Sequence, residues 1–177
     1  DRDTPLTWIA DEAGLPYYRG DEHDVLGRFV AAAAIFEADI IMRITGDCPC
    51  LDPAICADVL RLFLATPGIA YASNDTTVSG FPDGLDAEVF SRSALIAADR
   101  ATSSPVDREH VTPWLRRSVP QVMLELKTAT IPLEHLKLSV DCEADLDRVR
   151  RVYGCLDEGD TSLAGTVAAW RRAGYEL

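Results

Sequence analysis

Histidine is scarce in this 177-residue chain: His23, His110 and His135 stand alone and far apart. The five cysteines, Cys48, Cys50, Cys56, Cys142 and Cys155, are odd in number and irregular in spacing. Cys48-Pro49-Cys50 lacks a second paired ligand cluster, which argues against a structural zinc site. The same spacing argues against a disulfide framework and for free thiols in a reducing compartment. No apolar run approaches the roughly 20 residues of a membrane span, and the opening stretch is polar and acidic, unlike a signal peptide. The expected location is cytoplasmic. Basic residues are in deficit, 17 against 29 acidic, for a formal net charge of −12 at pH 7. The basic footprint that nucleic acid or an anionic membrane requires is therefore missing. An anionic ligand must instead be met by a few local arginines or a divalent metal. Also absent are the Gly-x-x-x-x-Gly-Lys-Ser/Thr loop, Gly-x-Gly-x-x-Gly and the Gly-x-Ser-x-Gly elbow. Their absence removes support for a P-loop enzyme, a standard dinucleotide binder and an α/β-hydrolase.

What is present is an ordinary globular composition, 47% hydrophobic and 26% charged, in a length suited to one domain spanning 1–177. Short apolar runs alternate with amphipathic stretches. Residues 4–13 read as a short helix and Leu15-Pro16-Tyr17-Tyr18 as a small strand. From Asp24, apolar residues at Leu26, Phe29, Val30, Ala33 and Phe36 recur at helical spacing. Asp39 to Ile44 reads as a buried parallel strand ending in Thr45-Gly46-Asp47. Asp52 and Pro53 are a cap and first residue for a helix burying Ile55, Val59, Leu62 and Phe63. Strands are expected at 69–72 and 85–90, followed by a helix through Ala98. Residues 107–118 read as a helix that Pro113 kinks or divides. Leu136, Leu138 and Val140 alternate as a strand does. Leu146, Val149, Val152, Tyr153 and Leu156 mark a helix face, and Leu163, Val167 and Trp170 mark the last. This alternation predicts an α/β fold with a mostly parallel central sheet, whose ligands bind beyond the strand ends.

That rule directs attention to Arg19, Asp47, Asn74 and Asp141. Asp47 places a carboxylate at a strand end beside Gly46, where a hard oxygen donor suits Mg²⁺; the alternative is a turn-capping aspartate. Asp141 stands where a helix N-cap belongs, and capping is its alternative reading. Taken together, two carboxylates at two strand ends suit one shared metal. Arg43, inside an apolar strand, must reach a carboxylate or a ligand anion. Arg19-Gly20 with Asp24 and Arg28 gathers polar groups near a helix start, or else forms surface salt bridges. Asp86 and Glu88 alternate and so share a face. Arg108-Glu109-His110 offers two donors and a carboxylate in one turn, or a solvated helix face.

These motifs resemble a known family in their order. Arg19-Gly20 with Asp24-Val25-Leu26-Gly27-Arg28-Phe29 is followed by Arg43-Ile44-Thr45-Gly46-Asp47-Cys48-Pro49. Then come Asp83-Gly84-Leu85-Asp86-Ala87-Glu88-Val89-Phe90, Arg108-Glu109-His110-Val111-Thr112-Pro113 and Ser139-Val140-Asp141 with its acidic helix start. The series is similar to the cytidylyltransferases of the spore coat polysaccharide biosynthesis protein F type, relatives of CMP-KDO and CMP-sialic acid synthetases. The resemblance implies a Rossmann-like nucleotidyltransferase (nucleotide-diphospho-sugar transferase) fold and Mg²⁺-dependent transfer of CMP from CTP to an acidic sugar. It places the metal and catalysis on Asp47 and Asp141. Arg19, Asp24, Arg28, Arg43 and Gly46 fall on the nucleotide side, and Asp86, Glu88, Arg108 and His110 on the sugar side. A homodimer is implied, with no nucleic-acid or membrane partner. Family members begin with a strand, a triphosphate-holding loop and a second strand, none of which precedes Asp1. The expectation is a domain truncated at its N-terminus and not active by itself. A nucleotide-sugar-dependent glycosyltransferase and a non-catalytic binding module are the competing readings.

Overall fold

The computed structural model describes residues 2–126, 133 and 135–177. In chain order the elements are α1 (Thr4–Glu12), α2 (Val25–Ile35), β1 (Ile40–Arg43), α3 (Pro53–Ala65), β2 (Tyr71–Ser73) and β3 (Glu88–Ser91). There follow α4 (Arg92–Ala101), α5 (Pro105–His110), α6 (Pro113–Ser118), β4 (Gln121–Met123), α7 (Glu143–Tyr153) and α8 (Leu163–Arg172). The chain forms two compact units, one from Asp1–Asp39 with Arg92–Arg117, the other from Ile40–Ser91 with Ser118–Leu177.

The second unit is built on a sheet of strand order β1-β3-β2-β4. As expected of a mostly parallel sheet, β1, β2 and β4 run in one direction, and β3 is the exception. β2 and β4 pair in parallel, but β3 lies between β1 and β2 and opposes both. The connections explain this. β1 reaches β2 through the crossover helix α3 and so arrives in the same direction, whereas residues 74–87 hold no helix and return the chain beside β2. β1 is also less buried than its apolar run suggests, with Ile40 exposed at the sheet edge. Asp52 caps α3 as expected, accepting from the Ala54 N–H at 2.7 Å, and its other oxygen accepts from Leu163 N at 2.8 Å. One carboxylate thus serves the starts of α3 and α8. Val59, Ala72, Ala87 and Val89 form one buried cluster, and Ile55, Leu85, Leu136, Leu138, Val149, Val152 and Trp170 belong to a second.

The Leu136–Val140 alternation does not mark a ladder. Leu136 and Leu138 are buried, but apart from one bridge between Asp83 and Lys137 the segment is irregular. Its alternate N–H groups go instead to the carbonyls of Leu133 (3.0 Å), Asp83 (2.8 Å) and Asp47 (2.9 Å). Residues 15–18 likewise form no strand, and β4 carries no pattern that singles it out.

In the first unit, α2 packs on α4 and α5, burying Leu26, Ala33, Ala94, Leu95 and Ala98. Helix α1 buries no residue fully. Pro113 divides the 107–118 stretch into α5 and α6. Buried Asp107 is gripped by Arg117, with Nη1–Oδ1 2.8 Å and Nη2–Oδ2 2.5 Å, and accepts from the Thr102 hydroxyl at 2.6 Å. Arg117 first, then Thr102, hold its carboxyl at about 2, against an ordinary 3.8. A carboxyl depressed in the fold takes up its proton more readily once unfolded. Its stabilisation is therefore complete above about pH 4 and lost as pH falls toward about 2. Urea unfolding of Asp107→Asn should show a flatter pH dependence than wild type across that window. Equal slopes would remove the assignment.

Candidate active site

The 45–48 turn carries Asp47 just beyond β1, closed by Cys48 N–H donating to Thr45 O at 3.2 Å. Asp47 is exposed, and a Cβ at Gly46 would meet nothing within 4 Å, so the glycine leaves open space beside the carboxylate. The Asp47 carbonyl accepts from Val140 N at 2.9 Å, and Asp141 follows directly. Two residues 94 positions apart in number (141 − 47) are thereby set on adjoining backbone. Segment 137–140 is fixed from the other side as well. The Ser139 hydroxyl donates to Asp83 Oδ2 at 2.8 Å, and Gly84, at φ +95°, lies against the Leu138–Ser139 peptide.

Asp141 is not the N-cap of α7. That position belongs to Cys142, and Asp145 at N3 reaches back to accept from Asp141 N (3.1 Å) and Cys142 N (3.2 Å). The capping alternative for Asp141 is therefore not what the fold uses, and its side chain remains 61% exposed. Lys137 Nζ lies 2.5 Å from Asp141 Oδ2 and 2.9 Å from Asp145 Oδ2, and Arg148 Nη2 is 2.5 Å from Asp145 Oδ1. Lys137 and then Arg148 hold the Asp145 carboxyl far below its usual range, and Asp141 and Asp145 hold the Lys137 ammonium well above its own. Neither Lys137 nor Asp145 stood out as functional in sequence. The available signal was a cation inside the alternating Leu136-Lys137-Leu138 run.

The other candidates in this unit take definite places. Arg43 meets a carboxylate, as its apolar strand requires. Its Nη1 is 2.6 Å from Oε2 of buried Glu88, its antiparallel partner on β3, and the Tyr71 hydroxyl donates to Glu88 Oε1 at 2.6 Å. Asp86 precedes β3 and accepts from the Thr76 hydroxyl at 2.8 Å and Gly84 N at 3.3 Å, so it also fastens the 76–84 loop. Burial pushes the Cys48 thiol up to about 12, opposed by the Thr45 hydroxyl and reinforced by the charges of Asp47 and Asp86. Cys48 is thus a neutral thiol at pH 7 and supplies no nucleophile. All five cysteines are free. Among the described residues no three His, Cys, Asp or Glu side chains gather as a metal cage. Two exposed carboxylates on adjoining backbone are nonetheless the donor set that suits a small hard cation keeping its water or ligand oxygens.

In the first unit, Asp24 caps α2, accepting from Gly27 N at 2.9 Å. Arg108 clasps the same carboxylate with Nε–Oδ1 2.8 Å and Nη2–Oδ2 2.5 Å, while its Nη1 reaches Asp99 Oδ1 at 2.7 Å. Arg108 holds the Asp24 carboxyl below its ordinary value. Gly27 leaves no room for a Cβ between that carboxylate and the guanidinium. Arg19, Gly20 and Arg28 line a cavity of about 310 Å³ with Thr7, Tyr17 and Tyr18. His110 is exposed at the end of α5.

Among solved structures, the chain resembles a cytidylyltransferase from Leptospira borgpetersenii serovar Hardjo-bovis with a TM-score of 0.87 and 25% identity. The match covers 97% of this chain and 72% of that one, and it makes the fold the α/β fold of a nucleotidyltransferase. The cytidylyltransferase family model matches residues 12–150, and the chain belongs to that family. It is 34% identical over 113 residues to the uncharacterized protein MJ1063 of Methanocaldococcus jannaschii, covering 64% of this chain and 44% of the relative. To the spore coat polysaccharide biosynthesis protein SpsF of Bacillus subtilis it is 27% identical over 143 residues, 79% of this chain and 58% of the relative. The chain thus spans about half the length of the curated relatives it matches. Among the described residues no helix is long and apolar enough to cross a membrane.

Proposed function

We propose that this protein transfers CMP from CTP to a sugar hydroxyl, releasing pyrophosphate, in the making of a polysaccharide or other glycan. Family membership supports the nucleotide and the reaction class. The observation that supports the chemistry is the Asp47 carbonyl–Val140 amide bond, which holds the backbone of Asp47 against the residue before Asp141. Asp47 and Asp141 would hold Mg²⁺, which when bound supplies positive charge to the triphosphate and to the departing pyrophosphate. The sugar hydroxyl oxygen would bond to the α-phosphorus as the bond from that phosphorus to the α–β bridging oxygen breaks. Pyrophosphate would leave with that electron pair, and the hydroxyl proton would pass to solvent water. Arg19 and Arg28 are kept on the nucleotide side by the resemblance of their motif to the family's, and by no contact with Asp47 or Asp141. Asp86 and His110 are assigned to the sugar side on the motif resemblance alone. Buried Glu88 and clasped Arg108 are given supporting roles, on Arg43 and Asp24 respectively.

The polysaccharide link rests on the name of the Bacillus relative. Acidic sugars head the acceptor panel because the motifs resemble enzymes that use them. The test takes the complete gene product with CTP, Mg²⁺ and that panel, reading pyrophosphate release and the sugar–CMP phosphorus signal. Release that requires both CTP and one acceptor is expected. Turnover only with a preformed nucleotide sugar would make the protein a glycosyltransferase, and no CTP binding by calorimetry would make it a binding module.

A further inference from the structure

Lys137 places a cation on a carboxylate that the proposed function reserves for a metal. Its ammonium bridges two very different partners. Asp145 is buried and also held by Arg148 and two backbone N–H groups, so it is a fixed anchor. Asp141 is largely exposed and rises from the residue after Val140, beside Asp47. Two cations, Lys137 and Arg148, balance two carboxylates, Asp141 and Asp145. Asp83, which accepts from the Ser139 hydroxyl, and Asp86, whose charge reaches Cys48 beside Asp47, add further negative charge to this region. Lys137 thus takes one unit from the negative charge that a divalent cation approaching Asp47 and Asp141 in the free protein meets.

Resting on the reading of Asp47 and Asp141 as metal ligands, we propose that Lys137 is a positioning residue that gates metal entry. It occupies Asp141 until the divalent cation arrives together with the anionic nucleotide. The triphosphate makes up the negative charge that Lys137 takes from the free site. Lys137 gives up Asp141 without becoming unpaired, because Asp145 already holds it at 2.9 Å. An arginine serves the same purpose, since the requirement is a positive charge tethered to Asp145.

The probe is Mn²⁺, titrated into the complete gene product and followed by electron paramagnetic resonance, with no turnover involved. Without nucleotide, K137M should bind Mn²⁺ roughly tenfold more tightly than wild type, and K137R should match wild type. With CTP present the three affinities should converge to within about twofold. Thermal melts establish that each variant is folded. If K137M does not fold, K137Q, which keeps a donor to Asp145 but no charge, carries the same expectation. Equal or weaker Mn²⁺ binding by the uncharged variant without nucleotide, while all forms bind Mn²⁺ with CTP, overturns the gate and leaves the metal pair standing. Should Asp47→Asn and Asp141→Asn bind Mn²⁺ as wild type does with CTP, the metal pair itself falls, and the gate with it.

Discussion

Asp47→Asn and Asp141→Asn are each expected to lower CMP transfer by more than about a hundredfold while leaving the melting temperature within about 2 °C of wild type. The activity half follows from charge. An amide oxygen is a weaker ligand for a hard cation than a carboxylate, and on the proposed reading each substitution would weaken one of two protein donors. The stability half follows from geometry. The Asp47 group that bonds to Val140 is its backbone carbonyl, which the substitution leaves in place. Asp141 does not cap α7, because Asp145 does that work through its own carboxylate. The Lys137 contact to Asp141 is half exposed and contributes little, and Lys137 keeps Asp145. Steady-state kinetics beside thermal melts decide the matter. A variant that melts several degrees lower yet turns over as wild type would return that aspartate to a structural role.

Gly84→Ala should be among the most damaging single substitutions in the second unit, costing about 3 kcal/mol or more. Two penalties combine. The residue sits at φ +95°, which L side chains rarely adopt, and a Cβ there would lie 2.5 Å from both Leu138 C and Ser139 N. Those are backbone atoms flanked by the buried side chains of Leu136 and Leu138, so no rotamer change relieves the clash. The displaced segment leads to Asp141, so turnover should fall by more than the loss of folded protein accounts for. Urea unfolding gives the first quantity, and kinetics at a temperature where the variant is folded give the second. Gly46→Ala is the matched control. Its Cβ would meet nothing, and an unchanged urea midpoint is expected there. An unchanged midpoint for Gly84→Ala would mean that the loop yields where its packing says it cannot.

The parts of this molecule that sequence made legible are those governed by local chemistry. Asp52-Pro53 announced the start of α3, and Asp24 that of α2, because a cap and its helix are neighbours in the chain. Pro113 divided its helix for the same reason. The turn that carries Asp47 was visible as an apolar strand breaking into an acidic residue, whereas Asp141 follows an irregular segment and only the family's motif order joined the two. The direction of β3 was not legible. The reversal at β3 depends on whether a connection crosses the sheet, and residues 74–87 look much like any loop. Alternation misled at 136–140, since it reports which side chains are buried and not where the backbone hydrogen bonds go. Ion-pair partners were also out of reach. Arg43 and Glu88 lie 45 residues apart and Asp24 and Arg108 lie 84 apart, so no spacing rule connects them.

The amide of Val140 offers a way to watch this site without substrate. The hydrogen bond from that N–H to the Asp47 carbonyl is the one that ties the Asp47 turn to the segment leading into Asp141, the proposed carboxylate pair. Its protection against isotope exchange is therefore a direct reading of how often the site is intact. The same signal distinguishes a variant that has lost a ligand from one that has lost the scaffold beneath it.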